Sequence, residues 1–316
     1  MKKRALGKTG LEIAPLVFGG NVFGWTADET RSFELLDAFV AAGFNAIDTA
    51  DVYSRWVSGH AGGESETIIG RWLKARPGRR EQVLLFTKVG GDMGSGRSLG
   101  ARWIEKAVED SLKRLQTDVI DLYQSHWPDP AAPHEETLAA YERLLKAGKV
   151  RAIGCSNFSA EQLAASLAAA REHRLPMYQT LQPEYNLVDR ASYDGPLRDL
   201  ALREGLGVIT YYSLASGFLS GKYRSEADLK QSARGRGVAK YLNPRGLRIL
   251  EALDEVGGRV DARPAEVALA WLMQRDGVTA PIASATSVEQ LRSFAKAAAL
   301  VLSPGDVRAL DAASAP

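Results

Sequence analysis

Four residues in the first half of this sequence are of types that can hold, donate or steer a proton: Asp48, Tyr53, Lys88 and His126. Tyrosine, with an unperturbed pKa near ~10, is a poor proton donor near neutrality unless its surroundings help. An ammonium beside it stabilises phenolate, and a carboxylate beside the ammonium keeps it charged. An imidazole can orient an oxygen by donating a hydrogen bond to it. Each residue alone has an ordinary reading. Asp48 suits a turn cap, Tyr53 rim packing and His126, in Ser125-His126-Trp127-Pro128, a loop anchor. Lys88 is harder to explain away, because a lysine closing the apolar run Val83-Leu84-Leu85-Phe86-Thr87 must be paired or solvated.

The four become a set only if the chain brings them together, and their placement predicts that it does. Asn45–Asp48, Val83–Lys88 and Val119–Tyr123 read as short buried strands, and the four residues fall at or just past their C-terminal ends. Amphipathic helical patterns alternate with such strands along the chain. The first is capped by Asp28 and closed by Gly43; another, Ala160–Glu172, is capped by Ser159. Counting from Leu16-Val17-Phe18 yields about eight βα units, the number of a (β/α)₈ TIM barrel, where strand C-terminal ends surround the active site. A doubly wound sheet would carry Gly-x-Gly-x-x-Gly after its first strand, and Phe18-Gly19-Gly20-Asn21-Val22-Phe23 does not match. An N-terminal β-hairpin turning at Gly7 to Gly10 is expected to cap the α/β barrel, and Gly221–Asn243 reads as a long mobile loop rather than core.

Composition narrows the class. The chain has 316 residues with no composition break, low-complexity tract or repeat, so residues 1–316 are expected to form one domain. Forty basic and 38 acidic residues leave a net charge of +2, too little to suggest nucleic acid or an anionic membrane as partner. No apolar stretch is long enough to span a bilayer, and the basic start Met1-Lys2-Lys3-Arg4 lacks the apolar run of a signal peptide. A single cysteine, Cys155, fits a reducing compartment, so a cytoplasmic location is expected. The four histidines lack metal-ligand spacing, so no metal is expected. Oligomeric state is left open.

Six stretches, in order, resemble the aldo-keto reductase superfamily: Phe44–Tyr53, Thr87-Lys88, His126-Trp127-Pro128, Gly154–Phe158, Gln182–Asn186 and Tyr211–Leu214. Leu214–Tyr223 is similar to bacterial aryl-alcohol-dehydrogenase-like branches and to potassium-channel β subunits. The resemblance implies an NAD(P)H-dependent oxidoreductase reducing aldehydes or ketones to alcohols, with Tyr53 as general acid, Lys88 and Asp48 tuning it and His126 orienting the carbonyl. It implies that Ser156, Asn157 and Gln182 bind the nicotinamide carboxamide, with Tyr211 stacked on the ring. Gly20, Asn21, Asp48, Leu214, Ser216, Gly217, Leu219 and Lys222, with Ser284, Thr286 and Gln290 of the last loop, complete the implied cofactor site. Trp25, Trp56 and Trp127 fall on loops near the expected mouth and suit an apolar wall for a small carbonyl substrate.

The resemblance implies NADPH, with NADH open, because of a departure. Many relatives carry a cation in the last loop for the adenosine 2′-phosphate. Here no lysine or arginine lies between Ala280 and Leu291, and Arg292 and Lys296 come only afterwards. Phe294 also stands near where a polar residue is usual. The alternative function is a regulatory protein that binds nicotinamide and senses its redox state, with slow catalysis.

Overall fold

The computed structural model describes residues 1–94, 96–232 and 235–315. Two short antiparallel strands, β1 (Arg4–Ala5) and β2 (Glu12–Ile13), form the N-terminal hairpin. Eight parallel strands follow: β3 (Val17–Gly19), β4 (Ala46–Asp48), β5 (Leu84–Val89), β6 (Ile120–Ser125), β7 (Val150–Ser156), β8 (Thr180–Gln182), β9 (Gly207–Thr210) and β10 (Ala280–Ala283). Each pairs with the next and β10 pairs back to β3, closing a (β/α)₈ barrel. The helices are α1 (Glu29–Ala41), α2 (Glu64–Ala75), α3 (Ala101–Leu115), α4 (His134–Lys146), α5 (Ala160–Glu172), α6 (Pro196–Glu204), the short α7 (Gly235–Val238), α8 (Pro244–Val260), α9 (Pro264–Gln274), α10 (Val288–Ala299) and α11 (Pro304–Ala313).

The two-residue period of a strand sorts side chains between two cores. Ile47, Leu85, Tyr123, Ile153, Leu181 and Val208 face the helices. Ala46, Phe86, Leu122, Ala152, Ile209 and Ala280 form a separate cluster inside the barrel, joined from the hairpin by Leu6, Leu11 and Ile13. The hairpin therefore closes the barrel floor, and the Arg4 guanidinium ties it down by donating to the carbonyls of Met273 and Thr279. One step further along β4 and β5, the same alternation turns Asp48 and Lys88 inward above that apolar layer. Gly154 is required where β7 passes β8, since a Cβ there would stand 1.9 Å from Thr180 Oγ1.

Most strand and helix boundaries fall within a few residues of those expected, and the caps form as read. The Asp28 side chain accepts from the Arg31 amide and that of Ser159 from the Gln162 amide. Gly43 follows α1 with φ 88°. The segment Gly221–Asn243 is a correction. Rather than lying outside the core, it carries a 3₁₀ turn at Glu226–Gln231, α7 and a second 3₁₀ turn at Ala239–Tyr241, and it buries Tyr223, Val238 and Tyr241. A few apolar anchors pack it despite a polar composition; residues 233 and 234 lie outside the described residues.

Candidate active site

At the C-terminal ends of the strands the barrel opens into a cavity of about 830 Å³. Its floor is an ion pair removed from solvent. Lys88 Nζ lies 2.6 Å from Asp48 Oδ2, and it also donates to the Thr49 carbonyl at 2.8 Å and to Tyr53 Oη at 3.0 Å. All three ammonium protons thus have acceptors. Asp48 Oδ1 accepts from Gln182 Nε2 at 2.9 Å, with Gln124 Nε2 at 3.4 Å. Lys88 does not line the cavity; it sits behind Asp48 and Tyr53, which do.

The electrostatics follow from burial set against pairing. Burial works against the Lys88 charge, but Asp48 and Tyr53 outweigh it and hold the pKa above that of a free lysine. Tyr53 corrects the expectation that a neighbouring ammonium lowers its pKa. Burial raises it and Lys88 only partly offsets the rise, so the phenol keeps its proton beyond the ordinary tyrosine range. His126 moves the other way: burial first, then the charges of Lys88 and Arg97, hold its pKa well below normal and the imidazole neutral. Its Nδ1 is buried without a hydrogen-bond partner among the described residues, which leaves Nε2 as the nitrogen able to meet a ligand. The His126 and Tyr53 rings lie 6.0 Å apart between centroids, both on the cavity wall.

A second polar network forms the adjoining wall. Ser156 Oγ donates to the Gln182 carbonyl at 2.8 Å. Asn157, in the left-handed region at φ 63°, donates from Nδ2 to the His126 carbonyl at 2.8 Å and accepts from Tyr211 Oη at 2.6 Å. The Tyr211 ring is thereby fixed in the cavity wall.

The remaining expected residues divide. Asn21, Leu214, Ser216, Gly217, Lys222, Ser284, Thr286, Gln290, Trp56 and Trp127 all line the cavity. Gly20, Leu219 and Trp25 do not. Gly20 is buried with its carbonyl accepting from Ser65 Oγ, and a side chain there would point at Ser65 and the Asp48 backbone. Its neighbour Gly19 takes the cavity position, and a Cβ on Gly19 would come within 2.5 Å of Ser284 Oγ. Leu219 is wholly buried in the helix-side core. Trp25 instead supports Trp56 edge-on, with centroids 5.7 Å apart.

Neither late cation lines the cavity. Arg292 is exposed, while Lys296 Nζ donates to the Asp261 carbonyl and lies 3.5 Å from Glu266. Sequence reasoning missed Arg263, which lines the cavity beside Gln290, Ser293 and Phe294 and pairs with Glu289 at 2.9 Å. It arrives there because α9 starts at the cavity rim, and no local motif marks it. Cys155 faces the helix-side core, where burial pushes its thiol pKa up. Among the described residues, no group of three or more His, Cys, Asp or Glu could hold a metal ion, and no helix is long and apolar enough to cross a membrane.

A family model described as the aldo/keto reductase family matches residues 15–315. The chain is 36% identical over 322 residues to the uncharacterized oxidoreductase YrpG of Bacillus subtilis (strain 168), covering 98% of this chain and 95% of that protein. It is 34% identical over 318 residues to the aldo-keto reductase YhdN of the same organism, covering 97% and 91%. A probable voltage-gated potassium channel subunit beta of Arabidopsis thaliana is 31% identical over 305 residues, covering 94% and 91%.

Proposed function

The chain belongs to the aldo/keto reductase family, and on that premise we propose that it is an NAD(P)H-dependent reductase of aldehydes or ketones with Tyr53 as its general acid. The observation that carries this reading is the buried contact of Lys88 Nζ with both Tyr53 Oη and Asp48 Oδ2 on the cavity floor.

The residues present fit a nicotinamide cofactor. Ser156, Asn157 and Gln182 supply the donors and acceptors a carboxamide needs, and Tyr211 presents an aromatic face beside them. Ser216 and Gly217, with φ of 57° and 98°, expose backbone to the cavity near Lys222, as a cradle for phosphate would. Lys222 and Arg263 are cavity-lining cations suited to the phosphates of NADPH. A volume of about 830 Å³ has room for a cofactor with a small substrate.

When bound, the nicotinamide would supply the hydride. The protein's part is the proton and its surroundings. Tyr53, neutral across the physiological range, donates its hydroxyl proton to the carbonyl oxygen as that oxygen gains charge. Lys88, kept charged by Asp48, lies against the resulting phenolate and stabilises it. His126, neutral and facing the same space, holds the carbonyl oxygen by a hydrogen bond. Trp56 and Trp127 shield the reacting atoms from water. The contact of Lys88 with Asp48 and Tyr53 favours an enzyme over a sensor without turnover, since binding alone has no use for a lysine buried against a tyrosine hydroxyl.

The test is a scan of NADPH and NADH oxidation against aromatic, aliphatic and sugar aldehydes. Aldehyde-dependent oxidation with at least one cofactor is the expected result. Tight cofactor binding without turnover on any aldehyde would favour the redox-sensing alternative.

A further inference from the structure

A second, shallow depression of about 440 Å³, largely open to solvent, adjoins the first cavity and shares Val52, Trp56 and Trp127 with it. Its other lining residues are Arg55, Asp92 and Arg97, so it carries two guanidinium groups against one carboxylate. Arg55 is held there: its Nη1 lies 3.3 Å from Asp92 Oδ1 and donates to the Asp92 carbonyl. Asp92 is held in turn by accepting from the amides of Gly94 and Gly96.

Arg97 differs. Its guanidinium carbon lies 4.4 Å from the centre of the Trp127 ring, and it makes no ion pair or hydrogen bond with any described residue. Stacking on an aromatic face leaves the in-plane N–H groups of a guanidinium open to a planar anion. The stack continues toward the chemistry, because Trp127 lies on His126 with centroids 3.6 Å apart. The Arg97 charge is therefore no farther from the imidazole than those two separations laid end to end, and it is one of the charges that keep His126 neutral.

We propose that Arg97, assisted by Arg55, is a carboxylate subsite beside the reaction centre, and that the preferred substrates are aldehydes or ketones carrying a carboxylate a few bonds from the carbonyl. A single uncompensated positive charge remains once Asp92 is counted, which matches a monoanion. The two shared tryptophans offer apolar walls to whatever links the two ends of the substrate. The inference rests on the carbonyl-reductase reading for the reacting end, while the anion subsite stands on its own residues.

The experiment compares 4-formylbenzoate with its neutral methyl ester as substrates, and 4-(hydroxymethyl)benzoate with its methyl ester as ligands titrated by tryptophan fluorescence. It uses wild type, Arg97→Met and Asp92→Asn. Wild type should prefer the acid in kcat/KM by about fivefold, the value of a well-placed but solvent-screened ion pair. Raising the salt concentration should shrink that ratio. Arg97→Met should bring it close to one, whereas Asp92→Asn, which removes the competing carboxylate, should raise it. The acid-to-ester ratio separates this role from packing, because loss of support for Trp127 would slow both substrates alike. A wild-type ratio of one or below, or an equal fall for acid and ester in Arg97→Met, would overturn the proposal. Should neither aldehyde be reduced, the titrations still decide. Arg97-dependent preference for the hydroxymethyl acid keeps the subsite while the reductase reading falls; no preference removes the subsite as well.

Discussion

Asp48 and Asp51 lie three residues apart on one stretch of chain and are buried to the same degree, each 1% exposed, yet they live in opposite electrostatic worlds. Asp48 turns into the barrel, where Lys88 and two glutamine amides approach its oxygens. Asp51 lies toward the helices, near Glu66 of α2, Arg114 of α3 and the Tyr123 hydroxyl, and among the described residues its buried carboxylate oxygens have no well-formed hydrogen bond, only the nearby Val52 amide. The cation that would neutralise it is already engaged, since Arg114 bonds Glu66 at 2.7 Å. Burial and the Glu66 charge therefore push Asp51 up to about 8, with Arg114, the Val52 amide and Lys88 only partly opposing. One carboxylate is held against an ammonium on the cavity floor; the other keeps a proton up to about pH 8. Burial alone does not set the state of an acidic residue. The partner does.

Removing that partner should produce the largest effect. Lys88→Met leaves Asp48 as an uncompensated buried charge and takes the ammonium from Tyr53. We expect carbonyl reduction to fall by about 10²–10⁴-fold and unfolding free energy to drop by about 3–5 kcal/mol in denaturant titration. A variant with near wild-type stability and turnover would mean that Asp48 tolerates isolation as Asp51 does, and the contrast would break.

The pH–rate profile sharpens the same point. Burial holds Tyr53 above the usual 10.0, and in the proposed mechanism its protonated form is the donor. Reduction limited by chemistry should thus stay level from neutrality to about pH 10, then fall about tenfold per unit once Tyr53 ionises. A decline centred near pH 7 to 8 would show that another group, Asp51 included, controls the step.

Asp51→Asn tests the other carboxylate through stability. Its folded pKa is raised from 3.8 to about 8, so the native state binds the proton more tightly than the unfolded chain. That contribution is complete below about pH 4, is lost as pH rises toward 8, and is level beyond. The amide cannot ionise, so the melting temperature of the variant should gain on wild type across that window, by at least about 2–4 °C at pH 9. Its kcat at pH 7 should stay within about twofold of wild type. A gap that does not change with pH would mean that Asp51 is charged in the folded protein.

The smallest expected effect is at the far rim, where the ion pair of Arg263 and Glu289 is largely solvated, with side chains 64% and 69% exposed. Arg263→Ala should weaken NADPH binding by about fivefold and leave NADH within error. Equal loss for both cofactors in fluorescence titration would mean that Arg263 shapes the pocket rather than meeting a 2′-phosphate.

Much of this arrangement is legible in the sequence. Their positions at the ends of apolar runs predict that Lys88 and Asp48 converge at the barrel mouth, and the structure brings them within 2.6 Å. The segment Gly221–Asn243 misleads because its few buried anchors, Tyr223, Val238 and Tyr241, are scattered among polar residues with no period. Arg263 and Arg97 carry no local signature; only the fold shows what lies beside them, a cavity rim in one case and the Trp127 face in the other. The direction of the Tyr53 shift is also hidden, since a sequence reveals which charges are near and not how little water is.

The central claim is that the Tyr53 hydroxyl delivers the proton, and Tyr53→Phe tests it most directly because the change removes one oxygen and keeps the ring. Single-turnover reduction of a good aldehyde should be measured beside cofactor affinity in the same preparation. The account predicts a rate lower by about 10²–10⁴-fold with a cofactor dissociation constant within about twofold of wild type. Retention of more than about a tenth of the wild-type rate, with the cofactor bound normally, would contradict it.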